Sequence, residues 1–146
     1  MIIDLEGTAS QIVTFALSRS DMAVIPLEPN SVEGPHAAKA VSLVKQTGQM
    51  LRRDIPYTIL VTRANAAFLT SEERELRKEM SANGVHVLPV RLIRRSAYTR
   101  IFGEGVLLDE LLAGAKDKDK EQISKAIDNA REYAQGLMDM SKAEAA

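Results

Sequence analysis

Short apolar runs alternate along this chain with longer stretches in which apolar residues return every three or four positions. The opening "MIIDLEG" places two apolar β-formers before Asp4, so residues 1–4 read as a strand delivering a carboxylate to a turn. Residues 9–18 (ASQIVTFALS) put Ile12, Val13, Ala16 and Leu17 on one helical face. "MAVIPL" (22–27) is the kind of short apolar run that a fully buried strand shows. Pro29, Asn30 and Ser31 then break the chain, and Pro35 suits the first turn of a helix. Ala37, Ala40, Val41, Val44 and Leu51 follow at helical spacing, and "YTILVT" (57–62) is a β-branched strand.

Thr70 and Glu73 make a capping-box pattern that opens a helix over 71–82, and Asn83-Gly84 closes it. "VHVLPV" (85–90) returns to strand, and short helices are predicted near 96–102 and 107–113. "GAKDKDKEQ" (114–122) reads as a charged linker. A last helix follows with Ile123, Ile127, Ala130, Ala134 and Leu137 on one face, then a frayed tail, SKAEAA. The order β-α-β-α-β-α-β followed by helices predicts an α/β fold, a largely parallel sheet with flanking helices. Ligands of such sheets bind beyond the carboxyl ends of the strands, where Asp4 is expected.

The 146 residues suit one domain with a real core, and the net charge of −1 excludes a global basic field for nucleic acid. The absence of cysteine excludes disulfides and thiolate metal sites. His36 and His86 lie too far apart in sequence to have the spacing of a zinc pair. No apolar run approaches the roughly 20 residues that span a bilayer, and no secretory signal follows Met1, so a cytoplasmic protein is expected.

Several stretches, in order, resemble the ParA/MinD-like ATPases, the deviant Walker family of plasmid and chromosome partition proteins. "IIDLEGTAS" looks like the family's Walker B strand and switch segment. "ALSRSDMAVIPLEPN" looks like its A…AD-x-v-i-P-v-x-P stretch, and "VEGPHAAKAV" is similar to the opening of the next helix. "IPYTILVTRAN" resembles the strand ending in T/N-R. "LRKEMSANGVHVLPVRLIRRSAYTRIFGEG" resembles the block G-x-x-V-l-x-x-x-I-x-x-R-x-A-y…G. The resemblance runs from residue 1 to about residue 112, and is nearer the short ParA-like and VirC-type proteins than MinD.

It implies a Rossmann-like, three-layer P-loop fold over 1–114, with 115–146 as linker and C-terminal helix. It also implies roles in a complete protein with ATP and Mg²⁺: Asp4 in the metal shell, Gly7 at the terminal phosphate, and Thr62 and Arg63 near the base. The family's preceding strand and K-G-G-x-G-K-T-type loop have no counterpart here, and no G-x-x-x-x-G-K-S/T occurs in the chain. That loop supplies the N–H cradle and lysines for phosphate. The chain is therefore expected to lack ATPase activity on its own and to read as the C-terminal portion of such an enzyme. An open sheet edge beside the first strand would favour a homo-oligomer. A ParB-like partner protein, non-specific DNA and nucleoid association are further implications of the resemblance.

Arg91, Arg94, Arg95 and Arg100 fall within ten residues that contain no acid, with Tyr98 among them. They read either as a phosphate-backbone patch for DNA or as solvated charges paired with Glu104 and Asp109. Of the four, Arg95 matches the family's arginine. Glu6 is a second carboxylate near Asp4 and reads as a turn residue. Ser10 and Ser18 have no neighbouring histidine in sequence to make a nucleophile. The acidic polar face of the last helix argues against membrane binding. The alternative function is a stand-alone, non-enzymatic module that binds DNA or a full-length homologue. A response-regulator-like domain fits less well, because the first strand end lacks paired acids.

Overall fold

A computed structural model describes residues 1–5, 11–30 and 33–144. Among these described residues, six helices and two strands form in the order α1 (Gln11–Arg19), β1 (Ala23–Leu27), α2 (Glu33–Leu51), β2 (Tyr57–Val61), α3 (Ser71–Ala82), α4 (Ser96–Glu104), α5 (Leu108–Ala113) and α6 (Asp117–Glu144).

β1 and β2 run parallel, with Ala23 opposite Tyr57 and Leu27 opposite Val61. Four of the five residues of β2 are buried, from Thr58 to Val61, as expected of a strand covered on both faces. At one end Ala23 N donates to Pro56 O, and at the other Thr62 N donates to Leu27 O. Residues 23, 25 and 27 thus spend their backbone groups on β2, and residues 24 and 26 turn theirs outward. Pro26, which has no N–H to give, occupies an outward position, the one place a strand tolerates it.

The segment expected as a strand over 85–90 is not a continuous one. It lies parallel to β2, with Val87 opposite Ile59 and Ile93 opposite Ala64. Bonds run from Ile59 N to His86 O, Leu88 N to Ile59 O and Leu92 N to Val61 O. Pairing lapses after Leu88 and resumes at Leu92; Pro89, between them, stands at a position whose N–H would face away from β2, so its missing donor is not the cause.

The strand expected over residues 1–4 does not form. Residues 1–5 take no regular structure, and Ile2 is 97% exposed. A strand is stable only with a partner to bond and a face to bury, and this segment finds neither among the described residues.

Three apolar clusters among the described residues hold the elements. Ile25, Leu27, Ile59 and Val61 pack with Ala37 and Val41 of α2 and Leu76 and Met80 of α3. Leu17 of α1 meets Val44 and Ile55. Ala97, Leu111, Ile123, Ala126 and Ile127 join α4, α5 and α6. The charged stretch expected as a linker is helical from Asp117, with Lys120–Asp117 and Lys125–Glu121 pairs along its exposed side. Ile123 and Ile127 of the stripe expected on α6 are buried, and the stripe departs from expectation further along. Ala134 is exposed, whereas Asn129 is buried and Gly136 packs against Leu88 and Val90.

Candidate site at the carboxyl ends of the strands

β1 and β2 end side by side, so Glu28, Thr62 and Arg63 form the rim that a ligand of a parallel sheet would meet. Arg63 Nη1 and Glu28 Oε2 are 3.1 Å apart, bridging the two strand ends. Arg63 holds a left-handed backbone, φ 51°. An L-residue with a side chain pays roughly 1–2 kcal/mol for that conformation. Strain of this sort collects where a side chain has a task. Beyond it, Asn65 Oδ1 accepts from Ala67 N at 2.8 Å and orders the turn, leaving Phe68 on the surface.

Of the residues expected at a nucleotide, Thr62 and Arg63 meet at this rim. Asp4 is exposed on the irregular opening segment, and Gly7, with Glu6 and Ser10, lies outside the described residues. Among the described residues no three His, Cys, Asp or Glu side chains gather as a metal would need. Thr62, Arg63 and Glu28 supply one cation and no amide cradle. These residues by themselves do not fit a Mg²⁺-bound triphosphate.

The four arginines of the predicted DNA patch divide by role. Arg91 is turned inward: its Nη1 meets Glu73 Oε2 at 3.1 Å, and its side chain is only 23% exposed. Arg77 Nε approaches the other oxygen, Glu73 Oε1, at 3.0 Å. Glu73 itself is 0% exposed. Thr70 Oγ1 caps α3 by accepting from Glu73 N, as its pattern predicts. The Glu73 carboxylate, however, leaves the helix end and clamps α3 to the 85–94 segment. Arg100 Nε pairs with Glu104 Oε1 at 2.9 Å, one of the two pairings anticipated for the cluster; Asp109 instead approaches Arg131. Arg95 stands at the start of α4 with its Nε buried and unpartnered among the described residues. Arg94 is exposed and carries no ion pair among the described residues. Ser18 Oγ donates to Phe15 O at the end of α1, an ordinary helix-end bond.

Two polar anchors were not legible in the sequence. Thr58 Oγ1 and His86 Nδ1 are 2.8 Å apart, tying β2 to the third segment. Asn129 of α6 accepts from Ile93 N through Oδ1 and donates to Arg91 O through Nδ2, each at 2.8 Å. Tyr98 OH donates to Ala126 O nearby; burial raises its phenol above the ordinary value, and Arg95 offsets part of that rise.

No family model matches the chain. Protein ParA of Rhizobium radiobacter is 28% identical over 138 residues, which cover 94% of this chain and 60% of that relative. Along nearly its whole length the chain is similar to ParA. The solved structure of apo McdA from Cyanthece matches 76% of it with a TM-score of 0.54 and 16% identity, a likeness of fold. The chain spans 60% of the length of the curated relative and 46% of the McdA chain. No helix among its described residues is long and apolar enough to cross a membrane.

Proposed function

We propose that this ParA-like chain is the C-terminal part of a partition ATPase for plasmid or chromosome segregation, unable to hydrolyse ATP without the segment that carries the phosphate-binding loop. The observation that supports this most is the similarity to ParA along 94% of the chain against only 60% of the relative. In a complete protein, Mg²⁺ and ATP supply the charge and the phosphoryl group. This chain contributes Asp4 and Gly7 toward them, with Thr62 and the Glu28–Arg63 pair at the strand ends, in a three-layer sheet completed by the added segment. Arg94 and Arg100, beside Arg95, are the DNA contacts in this reading, and Arg91 serves the fold. Self-association, a ParB-like partner and a place on the nucleoid belong to the same reading.

The test joins the chain to the preceding segment of the ParA relative and measures ATP turnover against the chain alone. Turnover in the fusion, lost on Asp4→Ala, with none in the chain alone, is the expected result. Steady hydrolysis by the 146-residue chain, or a fusion indifferent to Asp4→Ala, overturns the proposal.

A further inference from the structure

A polar recess lies at the other ends of the strands from Glu28, Thr62 and Arg63, about 16 Å away at roughly 3.3 Å per strand residue. Here the end of α2, the connection into β2 and the turn before the third segment enclose a cleft of about 630 Å³, within the range of small-molecule sites. Lys45, Arg52 and Asp54 line it, with half-buried Pro56 and Tyr57 as an apolar wall. Gly84 and His86, the latter tied to Thr58, stand on the far side. The lining comes from residues 44–57 and 84–86, so the cleft owes nothing to the β1 edge or to the opening segment.

The cations of the cleft differ in what they already hold. Arg53 also lines it, but its Nη2 donates to the carbonyls of Leu17, Ser18 and Ser20 and so finishes α1. Lys45 and Arg52 carry no ion pair among the described residues, and Lys45 Nζ lies over the Tyr57 ring, 5.9 Å from its centre. α2 closes in a Schellman turn, with Arg53 N donating to Gly48 O and Arg52 N to Gln49 O. The left-handed position of such a turn favours glycine, yet Arg52 holds it, at φ 54°. A long cation is thus kept where the backbone suits glycine, on the wall of a cleft. We propose that this cleft binds a small phosphorylated molecule bearing hydroxyl groups, of the sugar phosphate class. The planar fork of Arg52 suits two phosphate oxygens at once, and Lys45 adds a point charge. Asp54, which has no ion pair among the described residues, accepts from the ligand's hydroxyls, and Pro56 and Tyr57 take its carbon frame. The site uses neither Arg63 nor the arginine cluster, and it stands or falls separately from the ATPase reading.

Titration of the isotope-labelled chain with inorganic phosphate, ribose and ribose phosphate, read at the backbone amides, tests this. Ribose phosphate is expected to shift the signals of Arg52, Tyr57 and Gly84 and to bind more tightly than inorganic phosphate, while ribose shifts none of them. Arg52→Gly suits the turn, so the melting temperature should hold or rise. The same variant should bind ribose phosphate about tenfold more weakly, the share of one charge-assisted bond. Asp54→Ala should erase the preference for ribose phosphate over inorganic phosphate. The shifts should persist in the fusion to the preceding segment of the ParA relative. Equal binding of the two phosphates, unmoved signals at Arg52 and Gly84, an Arg52→Gly chain that binds as before, a preference that survives Asp54→Ala, or loss of the shifts in the fusion overturns the proposal.

Discussion

The side-chain amide of Asn129 lies against the backbone at Ile93 as a strand of one residue would. Its Oδ1 takes the Ile93 N–H and its Nδ2 reaches the Arg91 carbonyl, each at 2.8 Å. Leu92 between them bonds to β2, so residues 91 and 93 point outward, and Asn129 closes the edge they would leave open. Asn129→Leu keeps the size and strips both bonds, stranding a buried donor and a buried acceptor. A loss of about 2–4 kcal/mol is expected in urea unfolding, since each orphaned group costs about 1–3 kcal/mol. A loss below the cost of one such bond would mean that water replaces the amide.

Glu73 carries two arginines at once, and its removal separates fold from function in the basic cluster. Glu73→Gln is expected to destabilise the protein by about 3 kcal/mol, at the low end for a broken buried pair because both arginines keep some solvent contact. Arg91→Ala should lower the melting temperature for the same reason, whereas Arg94→Ala should leave it unchanged. For the proposed DNA contact the order reverses: Arg94→Ala is expected to reduce the salt slope by about 1, as the loss of one phosphate contact does. An Arg94→Ala chain with an unchanged slope would remove that residue from the DNA surface.

Two helical glycines should respond differently to a methyl group. At Gly48 an added Cβ would stand 2.8 Å from the Arg53 carbonyl oxygen, a backbone atom fixed by its place before β2. Gly48→Ala should cost about 1–3 kcal/mol through that clash. At Gly136 the nearest atoms are the Val90 and Leu88 side-chain methyls at 3.4 and 3.7 Å. There the helix gain of about 1 kcal/mol for Ala over Gly should offset the crowding, leaving Gly136→Ala near neutral in thermal melting.

Alkali should unfold the protein in part through Tyr98. Burial holds its folded-state pKa above the unfolded value of 10.0, with Arg95 opposing, so the folded chain keeps this proton more firmly. The resulting stabilisation is complete below pH 10 and is lost as pH rises through the folded-state pKa. Tyr98→Phe should flatten the decline of stability above pH 10, leaving the smaller slope expected from Tyr133, whose phenol burial also raises. An unchanged slope would show that Tyr98 titrates alike in both states.

Helices were the legible part of the sequence, because their signals are local. Thr70 and the Asn83-Gly84 pair bound α3 as read, with Gly84 at φ 64°, and the apolar period of 37, 41 and 44 is the buried face of α2. Strands depend on a neighbour, and there the reading failed at both ends. Residues 1–4 have a strand's composition and no partner among the described residues, while 85–90 pair with β2 only as far as Leu88 before the ladder breaks and resumes at Leu92. The arginine cluster was visible as charge, but its division was not, since Glu73 lies 18 residues before Arg91 and reads as an ordinary capping residue. Asn129 was invisible for a like reason: a polar residue on an amphipathic helix looks solvent-facing until the sheet edge that it serves is known.

The bond from α6 to Ile93 also sets a clock for synthesis. Thirty-six residues separate Ile93 from the side chain that seals its edge. At about 5–20 residues per second, the segment around Ile93 emerges from the ribosome about 2–7 s before Asn129 follows it. During that interval the growing polypeptide is most open to capture by a chaperone or by a neighbouring chain on the same message.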